Sequence, residues 1–381
     1  MKDAARQAFE AVEGELRTVS QWLYDHPETA YQEHESSARL AAFLAERGFS
    51  VECPAWGLST SFDATVGGDG PEVVICAEYD ALPEIGHACG HNIIATAACG
   101  AGAALAPLAA RLGVRVRVLG TPAEESHGGK VDLIDAGAFR GAAAAMMIHP
   151  APHDIVDQSF LAVSHLDVDY HGKEAHASAA PQLGVNALDA AVQAYVNVST
   201  LRQSLYPTDK VHGVITAGGD AANVVPDHTA MTWYVRAATT DRLERVMAKV
   251  EACFEGAATA TGATLTVTPR GHTYLDMRID PVMAELFSAN AAALGRPMGN
   301  EPAEERPAAG STDMGNVSHV VPSIHPMLDI GCSPATYHQK EFAAHTVMAG
   351  GERALRDGAL AMAWTVIDLA TGNRWAELGG S

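Results

Sequence analysis

The chain has 381 residues, of which 48% are hydrophobic and 19% are charged. This length and composition allow one large buried core or two ordinary ones, which argues against an intrinsically disordered protein. The formal net charge of −21 argues against a nucleic-acid-binding protein, because binding to phosphates needs clustered lysine and arginine.

The sequence also indicates where the protein resides. No run of 18 apolar residues is present, so no membrane-spanning helix is expected. The N-terminal residues form an amphipathic, acid-containing helix pattern without the apolar region of a secretory signal. The six cysteines show no regular spacing, which is typical of reduced thiols. We therefore predict a cytoplasmic protein.

Strand and helix patterns alternate in the first half of the chain. Runs of apolar and β-branched residues predict buried strands at 71–79, 114–122 and 143–152. Helices are predicted between them, at 92–112 and 130–139. This order predicts an α/β fold in which helices cover both faces of a mostly parallel sheet.

The pattern changes near residue 162. A half-exposed strand is followed by a long helix, two strands, a second helix and a last strand. That β-α-β-β-α-β order predicts a ferredoxin-like α+β domain. We therefore predict one α/β domain formed by residues 1–162 and 279–381, with the smaller domain, residues 163–278, inserted into it.

Polar side chains of a kind that binds metals occur where the predicted parallel strands end. They are Glu78 and Asp80 at the end of the first strand, Cys89 and His91 in the following loop, Glu124 and Glu125 after the second strand, and His149 at the third. Ligands of open α/β sheets gather at the carboxyl ends of strands. Thiolate, imidazole and carboxylate groups together suit zinc or a similar divalent ion.

Each of these residues has a simpler interpretation as well. A single cysteine such as Cys89 is more often a small buried apolar residue, and a single histidine such as His149 is more often structural. The adjacent Glu124 and Glu125 would ordinarily be surface charges. Here they follow an apolar strand, where two carboxylates repel each other unless a cation or a proton intervenes. The occurrence of cysteine, histidine and paired glutamates together at the strand ends favours a metal site.

Other kinds of catalytic site find little support. The sequence contains no G-x-S-x-G nucleophile motif and no phosphate-binding G-x-x-x-x-G-K-[ST] motif. The glycine-rich segment at 100–105 lies inside a predicted helix rather than at a strand-to-helix turn. A nucleophilic Cys89 paired with His91 is a less favourable alternative, because a single glycine separates the two.

Six segments carry a resemblance to a known family. In chain order they are AEYDALPEIGHACGHN, GTPAEE, MMIHP, HGKEAHAS, GGDAANVVPD and GSTDMGNVS. The sequence resembles the zinc-dependent aminoacylase and carboxypeptidase family of carboxypeptidase G, the plant auxin-conjugate amidohydrolases and p-aminobenzoyl-glutamate hydrolase, over nearly the whole chain. Asn92 replaces the aspartate of the usual CGHD motif. In this it is similar to the branch that contains p-aminobenzoyl-glutamate hydrolase and the dipeptidases acting on Xaa-Lys or Xaa-ornithine.

The resemblance implies a metal-dependent hydrolase that cleaves the amide bond of a small N-acyl amino acid, aminobenzoyl-amino acid or dipeptide. The residues that match its metal ligands are Cys89, His91, Glu125, His149 and His338. Glu124 matches the general base, and Asp80 matches the aspartate that supports the metal site. The expected cofactor is one or two zinc ions, with manganese or cobalt as alternatives.

In the family, the inserted domain is a lid and a dimerisation domain, so a homodimer is expected. His176 matches a lid histidine that stabilises the oxyanion, and Asn223 matches a second contact to the substrate. Arg236 matches, less closely, the group that receives a substrate carboxylate.

Some assignments stay open. The last ligand is His338 or His345, and His338 is favoured because YHQKEF resembles the family's HT-x-x-F segment, with Gln339 in place of threonine. His87, His127 and His325 are expected to be structural. The alternative functions are an N-acyl amino acid deacylase of the same fold and a catalytically silent metal-binding relative.

Overall fold

The computed structural model describes residues 1–299 and 310–379. The chain divides into two compact units. The larger unit consists of Met1–Ser159 and Met277–Ser381, and the smaller unit is Phe160–Asp276.

The described residues contain helices and strands in both units. In chain order the α-helices are α1 (Lys2–Glu10), α2 (Glu13–Asp25), α3 (His34–Ala45), α4 (His91–Leu105), α5 (Ala109–Leu112), α6 (Gly129–Asp135), α7 (Ala187–Leu201), α8 (Thr240–Thr261), α9 (Pro281–Ala293), α10 (Met314–Ser318), α11 (Lys340–His345) and α12 (Ala349–Thr371). The strands are β1 (Ser50–Glu52), β2 (Asp63–Gly67), β3 (Glu72–Ala77), β4 (Arg115–Gly120), β5 (Ala144–Met146), β6 (His149–Ala151), β7 (Ala162–His171), β8 (Lys210–Ala217), β9 (His228–Ala237), β10 (Thr264–Pro269), β11 (Ser323–Ile324) and β12 (Met327–Asp329). None of the helices described is long and apolar enough to cross a membrane.

The main sheet of the larger unit has the strand order β1-β2-β4-β3-β5-β11. Strands β4, β3, β5 and β11 run parallel to their neighbours, whereas β1 and β2 add an antiparallel edge beside β4. Strands β6 and β12 form a separate parallel pair. The predicted α/β fold with a mostly parallel sheet is therefore confirmed, and the antiparallel edge is an addition to it.

The central strand β3 is buried on both of its faces. Val73 and Ile75 contribute to the core that contains α1–α4 and α12. Val74 and Cys76 contribute to a second core with residues of α6 and α10. Burial on both faces explains why this strand reads as a continuous apolar run rather than as an alternating one.

Two predicted elements are divided in the structure. The helix expected at 92–112 ends at Leu105 and resumes as α5 at Ala109. Pro107 lies between the two helices, and it has no N–H group to continue the helical hydrogen bonds. The strand expected at 143–152 is split because β5 pairs with β11 while β6 pairs with β12.

The smaller unit contains one antiparallel sheet with the strand order β10-β7-β9-β8. Residues of α7 and α8 pack with the apolar face of this sheet, which includes Tyr170 and Trp233. Burial alternates along β7 and β9, so the opposite face of the sheet is partly exposed. The β-α-β-β-α-β order and the ferredoxin-like arrangement predicted from the sequence are confirmed.

Candidate metal and active site

The candidate ligands come from loops and element ends of the larger unit. Cys89 and His91 lie at the start of α4, Glu125 follows β4, and His149 begins β6. His338 precedes α11, and its backbone N–H donates to the carbonyl oxygen of Ala88 at 2.9 Å. This hydrogen bond brings the C-terminal loop to the residue beside Cys89.

Gly90 makes the approach of these segments sterically feasible. It has φ 83°, a left-handed conformation that glycine adopts without cost. A Cβ atom at this position would lie 2.7 Å from Cγ of Pro150, which is closer than carbon atoms can approach. The glycine therefore allows the loop of Cys89 and His91 to pack against the strand that begins with His149.

Asp80 connects two of the candidate ligands. His91 Nδ1 donates to its Oδ1 at 2.9 Å, and the backbone N–H of Glu125 donates to its Oδ2 at 2.9 Å. A carboxylate at Nδ1 fixes the histidine tautomer, so that Nε2 is free to bind a metal. Asp80 thus contacts both His91 and Glu125 through its two carboxylate oxygens.

The other side of the His91 ring faces three carboxylates. Its Nε2 lies 3.4 Å from Glu78 Oε2, 3.9 Å from Glu124 Oε2 and 3.8 Å from Glu125 Oε1. Both His91 Nε2 and Glu125 Oε1 are buried without a hydrogen-bond partner in the part of the chain that the structure describes. Buried polar atoms are rarely left unpaired, so these two atoms indicate a bound ligand such as a metal ion.

Four overlapping sets of donor atoms surround this point. They are Cys89, His91 and His149; Cys89, Glu125 and His338; His91, Glu124 and Glu125; and Glu78, Glu124 and Asp313. Within each set the donor atoms lie within 4.8 Å of one another. Shared donors are typical of sites that hold two neighbouring ions. His345 belongs to none of the sets found among the described residues.

Direct distances support the same grouping. Cys89 Sγ lies 3.5 Å from His149 Nε2, and His338 Nε2 lies 3.4 Å from Glu125 Oε2. His149 Nδ1 is 2.7 Å from the carbonyl oxygen of Pro150, which fixes that ring with its Nε2 toward Cys89. The five candidate ligands therefore meet although 249 positions separate the first from the last (338 − 89).

A buried ion-pair cluster lies next to the candidate site, and sequence reasoning did not identify it. Lys130 Nζ donates to Glu78 Oε1 and, at 2.7 Å, to Asp313 Oδ1. All three side chains are at most 1% exposed. The signal in the sequence was a lysine at the start of a short, otherwise mostly apolar helix, together with an aspartate in the GSTDMGNVS segment.

The pKa values follow from this crowding of charges. Burial, together with the charges of Glu78 and Glu125, raises the pKa of Glu124 well above that of an ordinary glutamate. Burial alone would raise the pKa of Asp80 as well, but the charge of His91 and its hydrogen bond lower this pKa below the usual range. Burial lowers the pKa of His149 to about 4, so this imidazole stays neutral and available as a ligand at neutral pH.

The remaining candidate residues lie in the smaller unit. His176 and Asn223 are neighbours, because Ala177 N–H donates to the Asn223 carbonyl oxygen at 2.9 Å and His176 bridges to Val224. Arg236 lies near the opposite end of β9. It lies eight positions from His228 (236 − 228), which is about 26 Å of strand. The structure brings the first two residues together and keeps Arg236 apart from them.

The three histidines expected to be structural have different surroundings. His87 is buried, which lowers its pKa to about 3. The ring of His325 lies 5.4 Å from that of His149, and the ring of His127 lies 5.3 Å from that of Tyr31.

Comparison with known proteins places the chain in a family. Residues 163–261 match the family model described as a peptidase dimerisation domain. The Xaa-Arg dipeptidase of Mus musculus is 40% identical over 96% of this chain and 88% of its own length. A subunit of the p-aminobenzoyl-glutamate hydrolase of Escherichia coli is 30% identical over 68% of this chain and 58% of its own.

A solved structure has the same fold. The dinuclear metal-binding peptidase of the M20 family from Bacillus subtilis superimposes with a TM-score of 0.73 at 22% identity, covering 94% of this chain and 99% of its own. The extended identity to the dipeptidase, the dimerisation-domain match and this shared fold lead to one conclusion. The chain belongs to the M20 peptidase family of amide-bond hydrolases.

Proposed function

We propose that the protein is a metal-dependent dipeptidase in which Glu124 is the general base. The observation that supports this most directly is that thiolate, imidazole and carboxylate donor atoms lie close together. Two of these atoms, His91 Nε2 and Glu125 Oε1, are buried without hydrogen-bond partners among the described residues. Glu124 lies beside them, with its Oε2 3.9 Å from His91 Nε2.

The balance of charge supports a divalent cation at this place. Five buried carboxylates lie in or around the candidate site: Glu33, Glu78, Asp80, Glu124 and Asp313. The buried cationic group that pairs with two of them is Lys130. Since buried charges are stable only when they are paired, a divalent cation would offset the excess of negative charge. It would also lower the raised pKa of Glu124.

The donor set favours zinc in this proposal. Cys89, His91 and His149 supply the thiolate and imidazole donors that zinc prefers, and Glu125 supplies an oxygen. His338 completes the proposed ligands, with one ion or two. Manganese and cobalt are the alternatives, because mixed nitrogen, oxygen and sulfur donors also bind these ions.

In the proposed mechanism each residue has a separate role in amide hydrolysis. A divalent ion held by Cys89, His91, Glu125, His149 and His338 would supply Lewis acidity, which would make water a nucleophile near neutral pH. Glu124 accepts a proton from the attacking water and returns it to the leaving amine. Asp80 keeps His91 in the tautomer that binds metal. In the proposal, His176 of the smaller unit donates to the oxyanion and Asn223 contacts the substrate.

Arg236 requires a separate role. A dipeptide spans about 7 Å, whereas about 26 Å of strand separates Arg236 from the end of β9 next to His176 and Asn223. Arg236 and the His176–Asn223 pair of one chain therefore cannot contact the same small substrate. If Arg236 receives a substrate carboxylate, it does so at one site, while His176 of the same chain completes another.

We infer that the smaller unit forms the homodimer through α7 and β8. Val192, Tyr195 and Val196 on α7 are exposed, although large apolar side chains usually avoid water. Val214 and Ile215 are exposed on β8, which is an edge strand with unpaired backbone groups.

Val196→Glu should shift the sedimentation coefficient from dimer to monomer, whereas Glu255→Gln on the exposed side of α8 should not. A monomeric wild type would contradict the inference.

The substrate proposed is a dipeptide with a basic C-terminal residue. The similarity to an Xaa-Arg dipeptidase supports this choice, and the net charge of −21 favours the accumulation of cationic substrates.

The test is a panel of Xaa-Arg and Xaa-Lys dipeptides, N-acyl amino acids and p-aminobenzoyl-glutamate, with and without a chelator. Faster turnover of the N-acyl amino acids would replace the proposal with the deacylase alternative. Metal binding without turnover of any substrate would indicate a silent relative.

Glu124→Gln tests the assigned mechanism. Loss of the general base should lower kcat by about 100-fold to 10,000-fold, while metal content measured by mass spectrometry stays the same. The matched variant Glu125→Gln should instead lose metal. Near-normal turnover by metal-replete Glu124→Gln would show that another group moves the proton.

A cytoplasmic location is also part of the proposal. All six cysteines are free of disulfides, and Cys76, Cys99 and Cys332 are buried. Free thiols persist in a reducing compartment. Fractionation of cells that express the protein would test this, and recovery of the protein outside the cytoplasm would contradict it.

A further inference from the structure

A second group of metal-binding side chains lies in the smaller unit, on the exposed face of its sheet. Asp169 and His171 are two residues apart on β7, so their side chains point to the same face. His228 lies directly opposite His171 on β9. One donor atom from each of the three residues lies within 4.8 Å of the other two.

The contacts within this group are close. His228 Nε2 is 2.7 Å from Asp169 Oδ1, and the rings of His171 and His228 stack with their centroids 4.9 Å apart and 19° between their planes. The three side chains thus bring two imidazoles and one carboxylate together on one face of the sheet. This is a donor set that a divalent transition-metal ion accepts.

We propose that Asp169, His171 and His228 bind one divalent transition-metal ion such as zinc. Two imidazoles and a carboxylate are donors that zinc, nickel and copper(II) accept. In tetrahedral zinc sites, donor atoms about 2.1 Å from the ion lie about 3.4 Å from each other. The 2.7 Å between His228 Nε2 and Asp169 Oδ1 must therefore widen by less than 1 Å, which a side-chain rotation provides.

The surroundings favour an exchangeable ion rather than a sealed structural one. The side chains of Asp169 and His228 are 30% and 45% exposed, so solvent and chelators reach the group. On the neighbouring strand β10, the residues paired with His171 and Asp169 are Thr264 and Thr266, and neither brings a charge that would compete with a cation. Three protein ligands leave a fourth position for water.

The site lies where β7 and β9 continue into a two-stranded ribbon. Beyond His171 and His228 the two strands continue as a hydrogen-bonded pair, in which Gly172 N–H donates to Asp227 O at 2.7 Å and Ala177 N–H donates to Asn223 O at 2.9 Å. This ribbon carries His176 and Asn223. An ion held by β7 and β9 would cross-link the two strands where the ribbon begins and would resist their separation.

Metal counting in the full chain tests the proposal. Wild type, His171→Gln, His228→Gln and the control His212→Gln, which alters an exposed histidine on β8, are stripped with a chelator and dialysed to equilibrium against a fixed concentration of free zinc. Bound zinc, the excess inside over outside the membrane, is then measured by mass spectrometry. His171→Gln and His228→Gln should each hold one zinc fewer per chain than wild type and His212→Gln. Equal zinc in all four proteins would overturn the proposal. All four keep the residues of the larger unit, so the difference does not depend on metal binding there.

A stability measurement excludes a folding artefact. Without metal, His228→Gln should show the circular dichroism spectrum and thermal midpoint of His212→Gln. Zinc should then raise the midpoint more for His212→Gln than for His228→Gln, because a ligand that binds only the folded state stabilises it. Equal increments would mean that the three residues form an ordinary surface ion pair, and the proposal would fail.

Discussion

Asp80 and His91 form the hydrogen bond on which the geometry of the candidate site depends. His91 Nδ1 donates to Asp80 Oδ1 at 2.9 Å, and the second oxygen of the same carboxylate accepts from the backbone N–H of Glu125 at 2.9 Å. One buried carboxylate thereby sets the ring orientation of one proposed ligand and the backbone position of another.

Asp80→Asn should weaken metal binding without removing a proposed ligand. His91 and Glu125 donate to different oxygens of Asp80, and in asparagine an NH2 group replaces one of these acceptors. Loss of such a supporting group typically lowers metal affinity about 10-fold to 100-fold. Titration with a competing chelator measures the change, and Asp69→Asn, in an exposed loop, is the control. Unchanged affinity in Asp80→Asn would refute the supporting role.

Lys130→Met should destabilise the protein strongly. The substitution leaves Glu78 and Asp313 buried without their cationic partner. Breaking a buried ion pair in this way costs about 3–5 kcal/mol of unfolding free energy. Urea denaturation of metal-free protein measures the loss, and Lys249→Met on the exposed side of α8 should change stability by less than about 0.5 kcal/mol. A small effect of Lys130→Met would show that water compensates the two carboxylates.

His87 should make the stability of the protein depend on pH in the acidic range. Its pKa falls from 6.5 to about 3 on folding because it is buried. Above pH 6.5 neither state is protonated at this residue, whereas between pH 6.5 and about 3 only the unfolded state is. The unfolding free energy therefore falls as the pH drops through this window, by at most ~1.4 kcal/mol per pH unit from this residue.

The variant His87→Leu isolates this contribution. Denaturation of metal-free protein at pH 7, 6, 5 and 4 should give a shallower loss of stability for the variant than for wild type. His34, an exposed histidine at the start of α3, provides the control His34→Gln, which should follow the wild-type curve. Parallel curves for wild type and His87→Leu would show that His87 does not set this dependence.

His338 and His345 should differ in their effect on metal content. His338 Nε2 lies 3.4 Å from Glu125 Oε2, whereas His345 belongs to no donor set among the described residues. His338 has φ 62°, a region in which asparagine is better tolerated than most residues. Metal analysis of His338→Asn and His345→Asn should therefore show a loss only in the first. A loss confined to His345→Asn would reverse the assignment.

Several features of the fold could be predicted because they depend on local patterns. The apolar run of β3 reflects burial on both faces of the strand, and the alternation along β7 reflects burial on one face. The edge formed by β1 and β2 was not predicted, because these strands are short and partly exposed. The division of the predicted helix at Pro107 could have been found from the proline itself.

The sequence by itself determined the mostly parallel α/β fold, the insertion of a ferredoxin-like unit and the kinds of side chain at the strand ends. These follow from periodicity and residue chemistry over short distances in the chain. Only the tertiary structure decided which donor atoms meet. Lys130 and Asp313 are 183 residues apart, and the loop of His338 reaches Ala88 through a single backbone hydrogen bond. Contacts of this kind depend on how the strands and loops pack together, and no local pattern records them.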